Sequence, residues 1–250
     1  MGQGNTVVVK VMFKAVCCSA KIGSLRDIEK EVNVARLFPS SPTLMGVLDV
    51  IAMSEDRLAM ITPLYSSSLH DFTGRRSLEL FIRVAICTLL SIRAFNRIGY
   101  CHGDIKPRNL MVNNNSKFVT VIDFGESALY GYDMMKDSMV YPLDCVRTAS
   151  LQYDLTCLAS TLWELWQGQV ETKTRDELRV VSASCENKLV CAIITACLED
   201  DLSITTATAN PIFNKVFNLV ITEAGNLLPD EIKVEWESSE VSGATDKAEI

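Results

Sequence analysis

The stretch "SLELFIRVAICTLLSIRAFNRIG", residues 77–99, constrains this chain most. It is long enough for six turns and apolar nearly all round, so it has no face suited to water and reads as a buried helix. A chain of 250 residues with 48% apolar composition can supply the cover such a helix needs. No apolar run reaches the roughly 18 residues that a membrane-spanning helix requires.

The segments around this helix fall into two groups. Before it come "NTVVVKVMF" (5–13), a short β-branched strand, and "SLRDIEKEVNVARLF" (24–38), a helix that Ser24 caps with Asp27 three residues on. "TLMGVLDVIAM" and "RLAMITPLY" then flank "SED" as a hairpin. After the buried helix, two short strands ("NLMV", "KFVTVI") enclose an Asn-rich turn, and apolar helices dominate from "YDLTCLASTLWELWQG" to about residue 222. Strands with one helix followed by mostly helices suggest an α+β, bilobal arrangement. From about residue 223 the chain turns acidic, a composition expected of a disordered tail.

A net charge of −7 and a pI near 5.0 argue against nucleic acid or an anionic membrane as electrostatic partner. Nine cysteines without a C-x-x-C pair or a secretory start fit reduced thiols in a cytoplasmic protein. "NNS" at 114–116 then reads as a turn, not a glycosylation acceptor. "MGQGNT" matches the short pattern for N-myristoylation at Gly2.

The chemistry-bearing residues lie on two loops. "CHGDIKPRNLMV" (101–112) carries Asp104, Lys106 and Asn109, and "VIDFGES" carries Asp123. Moving a γ-phosphoryl group requires positioning and charge neutralisation: a metal clamp, a cation on the phosphates and a carboxylate facing the acceptor hydroxyl. Asp123 can hold Mg²⁺ against the phosphates, and Asn109 offers an oxygen to a second metal, because hard cations take oxygen ligands. Asp104 can accept or orient the hydroxyl proton, and Lys106 can reach the moving phosphate.

These loops resemble those of the protein kinase family. H-R-D-L-K-P-x-N appears as His102-Gly103-Asp104-Ile105-Lys106-Pro107-Arg108-Asn109, and D-F-G as Asp123-Phe124-Gly125. The Lys two positions after Asp104 resembles the Ser/Thr class. The resemblance covers roughly residues 7–212. It implies a kinase-like fold with a truncated N-lobe of about three strands plus one helix and hinge (1–65), a helical C-lobe (66–222) and a tail (223–250). It also implies ATP and Mg²⁺ as cofactors and a Ser/Thr hydroxyl of a protein as acceptor. "VVVKVM" resembles the V-A-I-K strand, making Lys10 the phosphate lysine and Glu31 its helix partner, with Glu29 as the alternative. In "LAMITPLYSSSLHDF", Thr62 would sit behind the adenine, the Pro63 carbonyl and Tyr65 N–H would contact it, and Met111 would pack beneath it. Asp154 matches the Asp that opens the central helix and holds the catalytic loop.

Four departures accompany the resemblance. Gly103 replaces an Arg that would bind a phosphorylated loop. A-P-E is eroded to Pro142-Leu143-Asp144, and its Arg partner falls at Ile204. The stretch from Asp123 to Asp154 is short. No Gly-rich hairpin precedes Lys10: Gly2 and Gly4 are too close to it, and Val7 stands where a third Gly would be. Residues 6–12 would then form an open edge that a partner chain could cover. Two alternatives follow: a catalytically weak kinase-like binding protein, or a small-molecule kinase of the aminoglycoside or choline type, whose H-G-D and I-D-F-G loops are also similar.

Overall fold

The computed structural model describes residues 7–13, 16–72, 77–112, 117–134, 148–168, 174–199, 211–224, 230 and 232, with side chains from Cys18 onward except those of 211–213 and 223–224. The sequence-based expectations for Gly2, Gly4, residues 114–116, Pro142-Leu143-Asp144 and Ile204 lie outside the described residues.

An antiparallel sheet in the order β1-β2-β4-β3 opens the fold: β1 (Val7–Phe13), β2 (Val16–Ser24), β3 (Asp49–Ser54) and β4 (Arg57–Pro63). It has one strand more than the three the sequence suggested. The addition is β2, whose small residues (Cys, Ser, Ala, Gly) hide its alternation. Cys18 and Ala20 are buried against Ala59 and Ile61 on one face. Ser19 and Lys21 point to the other face, opposite Thr62 and Met60 in register. β1 lies at the sheet edge.

Helix α1 (Leu25–Ala35) follows β2 without a loop. Ser24 caps it by accepting a hydrogen bond from the Asp27 N–H at 3.2 Å. Ile28, Val32 and Val34 are buried, and so is one charged residue, Glu31. The strand and helix leave Gly23 so close to Ile28 that a Cβ there would meet its side chain at 3.2 Å.

The long apolar run forms α2 (Leu78–Arg97), with Val84 to Cys87 fully buried. α3 (Leu151–Gln167) packs against it, and α4 (Arg175–Ala183), α5 (Lys188–Cys197) and α6 (Pro211–Ala224) complete the helical layer. Short paired strands carry the loops: β5 (Ser67–Ser68) with β7 (Leu110–Val112), β7 with β8 (Val119–Val121), and β6 (Tyr100–Cys101) with β9 (Ala128–Leu129).

The loop after α1 completes the pairing of β8. Val121 N–H donates to Thr43 O at 2.8 Å and Met45 N–H to Val121 O at 2.9 Å. Ser91 on α2 donates to Thr43 O from the other side at 2.8 Å. The main apolar core therefore runs without a break from Ile28 on α1 to Ile232. This mixed architecture is compatible with a kinase-like fold, but the core itself draws no line between two lobes. Ile232, within the acidic segment expected to be a tail, is fully buried.

Candidate functional site

Glu31 is 2% exposed, and a buried carboxylate needs a partner. That partner is Lys21, whose Nζ lies 2.7 Å from Glu31 Oε2 and 2.9 Å from Asp123 Oδ1. The expected Lys10–Glu31 pairing is therefore corrected. Lys10 is on β1 opposite Ser19, and β2 intervenes between that strand and β4. Lys21 was missed because its strand was missed. The signal available was its position three residues before a capped helix, within reach of Glu31.

The three charges set one another. Burial opposes the charge on Lys21, but the carboxylates of Asp123 and Glu31 outweigh it and raise the ammonium above the usual lysine range. Burial pushes the Asp123 carboxyl up, yet the charge and hydrogen bond of Lys21 more than offset this and hold it below the ordinary range. Glu31 is the exception: burial raises its carboxyl, and Lys21 offsets that only in part.

Asp123 has a left-handed backbone, φ 66° and ψ 76°, and is the one non-glycine with positive φ among the described residues. That region is sparsely populated by side chains other than Asn and Asp, and it persists where neighbours over-determine it. Phe124 N–H donates to Glu31 Oε1 at 3.3 Å. The Phe124 ring sits in an aromatic cluster with Phe38, Phe95 and His102, at centroid separations of 6.0, 5.3 and 5.6 Å.

The second loop is built around Asp104. Its Oδ2 accepts from Lys106 Nζ at 2.7 Å and from Asn109 Nδ2 at 2.8 Å, and Asn109 Nδ2 also donates to the Asp104 carbonyl. The spacing that drew attention in the sequence thus becomes contact, through a single 3₁₀ turn at Pro107–Asn109. Ile122 N–H donates to Asn109 O at 3.0 Å, tying this loop to the one bearing Asp123.

Beneath both loops lies Asp154, 1% exposed, near the start of α3. Its carboxylate accepts from the backbone N–H of His102 at 2.8 Å and of Gly103 at 3.0 Å, and from the Cys101 thiol at 3.2 Å. Burial raises its carboxyl above the ordinary range although these donors pull the other way. His102 accepts the Asp104 N–H at Nδ1 (3.1 Å), which leaves Nε2–H to donate to Ile122 O (3.2 Å). Burial lowers the His102 pKa, so the neutral ring this network needs is also the favoured one.

Gly103 has φ +78°, and a Cβ there would lie 2.4 Å from Met134 Cε and 2.7 Å from the Glu126 carbonyl oxygen. The glycine is thus required by the packing of this loop, which the sequence comparison with an Arg did not reveal.

The residues expected around an adenine are less concentrated. Thr62 is buried and shares a 2.8 Å hydrogen bond with Ser19, two residues along the face that carries Lys21. The Pro63 carbonyl accepts from the Ser19 hydroxyl at 3.3 Å. Tyr65 is half-buried, with its phenol pushed up to about 12 by burial. Pro63 and Tyr65 line a cavity of about 820 Å³ that is otherwise walled by the segment from Ala35 to Val50 and Thr120. None of the charged site residues lines it. Met111 is half-buried on β7 opposite Thr120.

The donor set fits Mg²⁺ held together with a nucleotide better than Mg²⁺ held alone. Among the described residues no group of three or more His, Cys, Asp or Glu side chains is placed to hold a metal. Asp123 and Asn109 are the residues whose oxygens would complete such a set, since Mg²⁺ is commonly bound through one or two carboxylates plus substrate phosphates.

Comparison with known proteins agrees with this chemistry. Residues 76–135, which span α2 and both loops, match the family described as the phosphotransferase enzyme family. The chain is also similar to CBL-interacting protein kinase 20 of Oryza sativa subsp. japonica, 29% identical over 136 residues. That similarity covers 51% of this chain and only 29% of the rice protein. Among the described residues no helix is long and apolar enough to cross a membrane.

Proposed function

Taking a kinase-like chain as the premise, we propose that it transfers the γ-phosphate of MgATP to a Ser/Thr hydroxyl of a protein. The observation that carries this reading is the convergence of Lys21, Glu31 and Asp123 on one side, and Asp104, Lys106 and Asn109 on the other, through the Ile122–Asn109 hydrogen bond. Lys21, steadied by Glu31, faces the α- and β-phosphates. Asp123 and Asn109 would hold Mg²⁺, which would supply charge neutralisation on the triphosphate. Asp104 takes the hydroxyl proton as the acceptor oxygen bonds to the γ-phosphorus, and the β,γ-bridging P–O bond breaks with its electron pair leaving on ADP. Lys106, already paired with Asp104, offsets charge on the moving phosphoryl group. Thr62, Pro63, Tyr65 and Met111 supply the adenine end.

The test is a melting-temperature shift with MgATP for the wild type and Asp123→Asn, followed by transfer of labelled phosphate. The reading expects a shift in the wild type, a reduced shift in Asp123→Asn, and label on protein that is lost in Asp104→Asn. No shift in the wild type overturns it in favour of a kinase-like binding protein. A small-molecule kinase of the aminoglycoside or choline type is the second reading. Gly103 favours it, because the loop geometry requires the H-G-D form that those enzymes share. Label confined to small acceptors would establish that reading instead.

A further inference from the structure

The left-handed Asp123 needs support on both sides, and one supporting group comes from a residue that neither loop contains. Lys30, on α1, donates from Nζ to the Gly125 carbonyl at 2.5 Å, across 95 residues of sequence. Its neighbour Glu31 accepts from the Phe124 N–H. Consecutive helix positions point about 100° apart, so the two side chains straddle the turn that follows Asp123. One side chain takes a carbonyl and the other takes an N–H.

We propose that Lys30 is a positioning residue: it fixes the Asp123–Gly125 turn from α1 and thereby presets the carboxylate that faces the nucleotide's metal. The proposal rests on the phosphotransferase reading only for what the carboxylate faces; the mechanical link does not.

The experiment compares wild type with Lys30→Met, Lys30→Arg and the surface control Lys188→Met. Amide exchange at Phe124 and Gly125 is measured without nucleotide, and binding of a fluorescent ATP analogue is titrated against Mg²⁺. Losing one charge-assisted hydrogen bond predicts about tenfold faster exchange at these amides and about tenfold more Mg²⁺ needed for half-maximal analogue binding in Lys30→Met. Lys30→Arg restores both, and Lys188→Met changes neither. Should Lys30→Met not fold, Lys30→Gln is read in its place. Unchanged exchange at Phe124 and Gly125 overturns the link outright, whether or not nucleotide binds. Faster exchange with an unchanged Mg²⁺ requirement overturns the claim that the link presets the carboxylate. If the wild type binds no analogue, the phosphotransferase reading fails, while the exchange data still decide whether Lys30 holds the turn.

Discussion

Replacing Lys21 by Met removes the cation that touches both Glu31 and Asp123. Breaking a fully buried ion pair from one side costs about 3–5 kcal/mol, because the remaining charge has no partner. Glu31 meets that condition at 2% exposure, but Lys21 is 26% exposed and Asp123 37%, so solvent screens part of the loss. The expected loss is about 2 kcal/mol, and for a chain of this size it lowers the melting temperature by about 4–8 °C. The loss grows with pH. Burial already raises the Glu31 carboxyl above its ordinary 4.5, and without Lys21 the folded protein retains that proton further into the neutral range. A carboxyl whose folded pKa is raised costs stability as pH climbs from the unfolded value through the folded one, so Lys21→Met is closest to wild type in acid. The assay is denaturant unfolding at pH 5.5 and 8.0 of Lys21→Met, Lys10→Met and Lys21→Met/Glu31→Leu. The double variant recovers only part of the loss: the buried Glu31 charge is gone, but Asp123 still lacks its cation and the Phe124 N–H loses its acceptor. Lys10→Met, at the position the sequence suggested for the pairing, should not reproduce that loss or its pH dependence. Equal stability of Lys21→Met and wild type, or a larger loss in Lys10→Met, would refute the pairing and restore the strand assignment the sequence suggested.

Gly103→Ala forces a Cβ against the Glu126 carbonyl at positive φ, and unfolding should show a loss of about 2 kcal/mol or more. His102 has a folded pKa below its ordinary 6.5, so the unfolded chain binds the proton first. Its contribution is complete above pH 6.5 and fades as pH falls from there through the folded pKa, and stability measured from pH 8 to 5 should bend downward accordingly, less so in His102→Asn. Asp154→Asn leaves one amide oxygen for donors that now share two, and about 2–3 kcal/mol should be lost on denaturation, with faster amide exchange at His102 and Gly103.

The contacts legible in the sequence were local ones. Asp104, Lys106 and Asn109 lie within six residues, and one 3₁₀ turn is enough to bring them together. Ser24 and Asp27 announced α1, and the apolar run announced α2 within two residues of its observed ends. Glu31 was legible as well, since it falls among Ile28, Val32 and Val34 on the buried side. The strand before α1 was not. Among its described side chains, β2 buries Cys18 and Ala20 on its apolar face with Ile22 packed beside them, and its pairing with β4 spans some forty residues. Gly103 was read as a lost Arg because sequence shows residue identity, whereas the reason for the glycine is a carbonyl 23 positions away. Ile232 sits in an acidic stretch whose composition conceals one anchored side chain.

The seam between Thr43–Met45 and β8 has a bearing on how this chain can be divided. The strand leading to Asp123 borrows its outer neighbour from the opening quarter of the sequence. A fragment begun after Met45 would keep every group of both loops and still leave Val121 without its acceptor and donor. Two pieces cut between β4 and α2 should regain the site only when mixed, each carrying half of one ladder.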